Sequence, residues 1–203
     1  MKTSTASLRC VLAFIAALTG SAPGQTFQIS WASNAFATNK MADGITTFEE
    51  ASREINFELG TFAPGFNPTT ASPSEWTASW IILQNTEYDL ADQQFINTAT
   101  LPSNDSPFQS GGQAYIWGYT TKDLGDKAEW ILVASPSWKW PDVTITQPAP
   151  TFSVGDALPA HAILGAVNPV NGAFHMQLAV VVPEPSSLLL LSLGALLLAR
   201  RRR

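Results

Sequence analysis

Between residues 25 and 182 the chain holds 11 prolines and 10 glycines, one breaker every seven or eight positions. Proline removes a backbone donor and clashes with the preceding helical turn, so long helices have no room there. What remains is a set of short segments with period-two alternation, the spacing of half-buried strands. Phe27, Ile29 and Trp31 share one face against Gln28 and Ser30. Ile55, Phe57 and Leu59 oppose Asn56 and Glu58, and Val143 and Ile145 alternate with Thr144 and Thr146. Tyr115, Trp117 and Tyr119 line a segment whose other side is Ala114, Ile116 and Gly118, so both faces are apolar or small and a central strand is expected. Trp130 to Val133 is a continuous apolar run, consistent with another buried strand. One stretch departs from this pattern. Ser72-Pro73-Ser74-Glu75 fits a capping box with proline at the first helical position, predicting a short helix to about Ser79 and then a strand over Ile81 to Gln84. The expected fold is mainly β: an antiparallel sandwich or barrel-like domain with one short helix, flanked by an N-terminal signal helix and a C-terminal hydrophobic helix.

The same span has 15 acids and 5 bases, a net charge of −10. Nucleic-acid binding needs clustered Lys and Arg against phosphate, so this balance excludes it. The 20 aromatic residues among those 158 argue against disorder.

The two ends read as addresses. Lys2 and Arg9 precede an apolar run from Val11 to Leu18, followed by Gly20-Ser21-Ala22-Pro23-Gly24. That order matches a secretory signal over residues 1–24, and the run is far below the ~20 residues that span a bilayer. Cleavage near Gly24 removes Cys10, the only cysteine, leaving no thiol for a disulfide, a metal or a nucleophile. At the other end, Pro183-Glu184-Pro185 precedes the leucine-rich run Leu188 to Ala199, and Arg200, Arg201, Arg202 and Arg203 close the chain. A helix from Ser186 to Ala199 reaches about 21 Å, short of the ~30 Å hydrocarbon core. Snorkelling arginines and local thinning of the bilayer would offset part of the mismatch, with the arginines kept cytoplasmic.

This three-part tail over residues 182–203 resembles the PEP-CTERM sorting signal of exported proteins in Gram-negative, exopolysaccharide-producing bacteria. The resemblance implies a processing partner, an exosortase-type membrane peptidase. It also implies transient residence in the inner membrane, removal of the tail at or near the motif, and delivery to the cell surface or beyond. It covers about a tenth of the chain and is silent on the activity of residues 25–181. A plain C-terminal anchor is the alternative.

The middle offers weaker signals. Of seven tryptophans, Trp117 and Trp130 sit in apolar strands and read as core. Trp138-Lys139-Trp140 places two indoles on one side of an extended segment, the best candidate for stacking on sugar rings. Asp123 with Asp126, and Asp89 with Asp92, lack the dense alternation of a calcium loop and read as solvated turns. His161 and His175 are fourteen apart with no acid cluster nearby, and no metal site or cofactor is expected. No nucleophile-elbow, phosphate-loop or zinc-protease motif is present. Asn104-Asp105-Ser106 is formally a glycosylation sequon and marks an exposed, proline-flanked loop. The expected function is that of an exported, non-enzymatic surface or matrix protein. A carbohydrate-binding module acting on exopolysaccharide is the second reading, and a hydrolase with an unrecognised motif the third.

Overall fold

The computed structural model describes residues 26–125 and 127–179. The signal segment with Cys10, and the tail with Pro183, Glu184, Pro185 and Arg200 to Arg203, lie outside the described residues.

The strands arise where the alternation pointed. β1 (Phe27–Ala32) buries Phe27, Ile29 and Trp31 on one face. After the single-turn helix α1 (Phe48–Ala51), β2 (Asn56–Phe62) buries Phe57 and Leu59. Helix α2 (Pro73–Ser79) starts at Ser72, whose amide donates to the Glu75 carboxylate at 2.9 Å. β3 (Trp80–Glu87) then follows directly. β4 (Ile96–Leu101), β5 (Tyr115–Tyr119) and β6 (Glu129–Val133) complete the longer strands. Shorter pieces follow at β7 (Thr151–Ser153), β8 (Ala162–Leu164), β9 (Ala166–Val167), β10 (Phe174–His175) and β11 (Gln177–Leu178).

The architecture is sandwich-like and largely antiparallel. One sheet has the order β4-β1-β7, with only β7 parallel to its neighbour. The large sheet runs β11-β6-β5-β2-β3, and β8 joins the same edge of β6 that β11 occupies further along. β9 and β10 form a separate two-stranded pair. The main core collects Ile29, Trp31, Leu101 and Phe152 from the small sheet with Phe57, Leu59, Ile116, Ile131 and Val133 from the large one. β5 is central, between β2 and β6, as its two apolar faces required. Its Gly118 is there for space. A Cβ would overlap the Phe57 ring and come within 2.9 Å of Ile131 Cγ2.

The outer face of the large sheet is also covered, by α2. Trp76 of that helix joins Phe62, Trp117, Trp130 and Leu132 in a second core cluster. Trp76 stacks near-parallel to Trp130 at 6.1 Å, and Trp117 meets Trp130 edge-on at 4.8 Å. Such pairs add ~0.5–1.5 kcal/mol each beyond the area they bury.

The alternation at residues 143–146 does not give a strand. Asp142 Oδ1 accepts from the Thr144 amide at 2.8 Å and its hydroxyl at 2.6 Å, closing a side-chain turn. Val143 tucks inward while Ile145 stays exposed. A local Asp–backbone bond therefore outcompetes ladder pairing here.

Candidate functional site

Trp138 and Trp140 do leave the backbone on one side, but that side is the core. Both are 1 % exposed. Their rings each lie 6.0 Å from Phe152 of the small sheet, and Phe108 packs edge-on against Trp140 at 5.1 Å. The segment between is held by amide bonds, Ala114 N–H to the Trp138 carbonyl at 3.0 Å and Trp140 N–H to that of Gly112 at 3.0 Å. The expected sugar-stacking surface is therefore corrected: neither indole presents a face to a ligand. The physical reason is area: both rings join Phe152, Val143 and Val154 in the main core, where each removes a large apolar surface from water.

The densest polar arrangement lies on the α2-covered face of the large sheet. Glu58 of β2 faces Trp117 across the β2–β5 pair. Its side chain is 7 % exposed. Oε1 accepts from the Tyr119 hydroxyl at 2.7 Å; Oε2 accepts from Trp80 Nε1 at 2.7 Å and Lys122 Nζ at 2.5 Å. Lys122 Nζ also sits 4.9 Å from the ring centres of both Trp117 and Tyr119, within cation–π range. Burial, reinforced by the adjacent Glu58 carboxylate, holds the Tyr119 hydroxyl protonated well above the usual tyrosine range. The alternation put Glu58 on the face opposite Phe57 and Leu59, and the structure makes that face an aromatic box. The available signal was Trp76 and Trp80, four apart, next to an aromatic strand that had to be covered.

A carboxylate pair suited to hydrolysis would have to leave an oxygen free for substrate. Asp43, Glu50 and Glu129 do converge with Arg53 on a pocket of about 200 Å³. Asp43 and Glu129 have both oxygens engaged, and Glu50 has one. Glu129, 8 % exposed, accepts from the Ala42 amide at 2.5 Å and from Arg53 Nη1 at 3.1 Å. Glu50 Oε2 accepts from the Thr47 amide at 3.0 Å as half of the α1 capping box. Asp43 accepts from the Thr46 hydroxyl and the Ile45 and Thr46 amides, bonds that hold its carboxyl below the usual range and so ionised.

The other polar positions close turns. Asp89 Oδ1 accepts from the amides of Ala91 and Asp92. Asp123 is described and Asp126 is not. His161 Nδ1 accepts from the Leu158 amide at 3.0 Å, and the His175 ring lies against Gly44. Asn104 itself is half-buried within a loop whose Pro102, Asp105 and Ser106 are exposed as expected. Its Nδ2 donates to the carbonyls of Phe108 and Pro141, and its Oδ1 accepts from Val143, tying the 104–108 loop to the 141–143 segment. Among the described residues, no three His, Asp or Glu side chains gather as a metal site, and no helix is long and apolar enough to cross a membrane.

The described chain ends in an ordered strand. Gln177 and Leu178 pair with Trp130 and Glu129, and the amide of buried Ala179 donates to the Ala128 carbonyl at 2.7 Å. Three residues separate Ala179 from Pro183. No curated protein and no solved structure matches this chain. The model of the PEP-CTERM protein-sorting motif matches residues 181–203, one residue more than the segment delimited from the sequence. The chain thus carries, directly after its last described strand, the PEP-CTERM sorting signal of an exported protein.

Proposed function

We propose that this is an exported, non-enzymatic surface or matrix protein, a β-sandwich cargo whose tail hands it to an exosortase-type peptidase. The observation that carries the proposal is the sorting motif at residues 181–203. The engaged carboxylates support the non-enzymatic part: Glu58, Glu129 and Asp43 each spend both oxygens on internal donors, and Glu50 spends one on its helix cap. The leucine run holds the tail transiently in the inner membrane, and Arg200 to Arg203 keep its end on the cytoplasmic side. Two prolines in three residues disfavour a regular helix at the motif, and a peptidase cleft takes up extended backbone. Replacing Pro183, Glu184 and Pro185 by alanine should leave export intact and trap uncleaved protein in the inner membrane. If that variant reaches the surface with the wild-type mature mass, the motif is not a processing signal.

A further inference from the structure

We infer that the end of the large sheet around Ala179 is the surface on which this protein meets the membrane-held peptidase that processes its tail. The inference rests on the processing role just proposed and adds the docking geometry. From Met176 to Ala179 the chain is pinned. The Met176 amide donates to the Lys40 carbonyl at 2.9 Å, Gln177 and Leu178 pair with β6, and Ala179 is fully buried with its amide on Ala128. Pro183 is four residue steps beyond Ala179 and Pro185 six, so the motif begins at most about 14 Å and ends at most about 22 Å from a fixed point of the fold. Leu188, where the apolar run begins, lies at most about 32 Å from it. An enzyme that binds extended backbone at residues 183–185 has no room to stand clear of the domain. It must touch what surrounds Ala179.

That surface is formed by Thr120, Thr121 and Lys127, between β5 and β6, together with the edge strand. Leu178 is 41 % exposed on β11, an apolar side chain at the point of exit. Lys127 is exposed next to Ala128. Beside them Arg53, Glu54, Thr120 and Thr121 line, with Lys127, a depression of about 320 Å³. Thr120 holds the turn in place, its hydroxyl donating to the Lys127 carbonyl at 2.9 Å and accepting from the Glu129 amide at 3.1 Å. The partner is therefore the peptidase itself, engaging both the extended motif and this mixed-charge, shallow surface.

The test is a pulse-chase in the producing cell with the full chain. The double variant Lys127→Glu and Leu178→Glu should be processed several-fold more slowly at native spacing. Inserting about 12 Gly/Ser residues between Ala179 and Val180 adds roughly 19 Å of mean span, enough to let the enzyme stand off. In the inserted chain the same double variant should be processed as fast as the insertion alone. Processing at or above the wild-type rate at native spacing overturns the inference, a faster rate meaning that β11 unpairs before cleavage. Slowing that persists in the inserted chain also overturns it, because the substitutions then act on folding or export. The alanine variant of residues 183–185 runs alongside. If it is cleaved normally the processing role itself fails, whereas if it is trapped and the double variant is not slowed, only the docking surface fails.

Discussion

Replacing Glu58 by alanine tests whether the aromatic box stabilises the fold through its buried carboxylate. The substitution removes the shared acceptor of Trp80 Nε1, the Tyr119 hydroxyl and Lys122 Nζ. A buried neutral donor left without a partner costs ~1–3 kcal/mol. Lys122 is 33 % exposed and can turn its ammonium to water, so its loss counts for little. The two neutral donors then set the cost at about 3–4 kcal/mol. Lys122→Met leaves the buried Glu58 carboxyl with two neutral donors. Breaking a fully buried pair costs ~3–5 kcal/mol, and partial exposure of the lysine lowers this to about 2–3 kcal/mol. Glu58→Gln keeps an acceptor and should be the mildest, at ~1–2 kcal/mol. Urea unfolding of the processed protein, followed by tryptophan fluorescence, reads the series. With a slope of ~2 kcal/mol per molar, Glu58→Ala should lower the midpoint by about 1.5–2 M. A midpoint within ~0.3 M of wild type, or the reverse order of the three variants, would refute the reasoning.

Three further outcomes follow from the packing. Gly118→Ala should destabilise by ~1–3 kcal/mol, because its methyl meets Phe57 and Ile131 in a filled core; a neutral result in thermal melting means the strand can shift. Trp138→Ala and Trp140→Ala should each cost ~3–5 kcal/mol. The phenylalanine variants should cost less, since neither indole nitrogen has a partner to lose, and an unchanged melting point for the alanine forms would contradict the burial. Tyr88, Tyr115 and Tyr119 all have hydroxyls pushed up chiefly by burial, so their folded values exceed the ~10 of the unfolded chain. The stability this gives is complete below about pH 10 and declines as pH rises above it, so tyrosinate absorbance should emerge together with unfolding, and a separate titration near pH 10 in the folded state would contradict it.

Most of the strand framework was legible because one face of each strand had to be apolar. β1, β2, β5 and β6 lie where Phe27, Phe57, Trp117 and Ile131 placed them, and Pro73 with Glu75 marked α2 within a residue. What escaped was long-range. Nothing local tells Val143 and Ile145 that Asp142 will fold back on Thr144. Nothing local tells Trp138 and Trp140 whether the side they share is solvent or Phe152. Glu58 does lie opposite Phe57 and Leu59, but its burial could not be read for the same reason. Alternation assigns a residue to a face, and only the helix packed on that face decides whether it is wet. The sorting motif was legible because it lies in residue order and not in tertiary contacts.

The central claim is that the tail delivers this protein and is then removed. Intact-mass measurement of the protein recovered from the surface of its native host tests that most directly. The expected species begins near Gln25 and ends at or near Pro183 to Pro185, without the leucine run and without Arg200 to Arg203. Surface protein that still carries Arg203 would contradict it and leave the tail as an anchor.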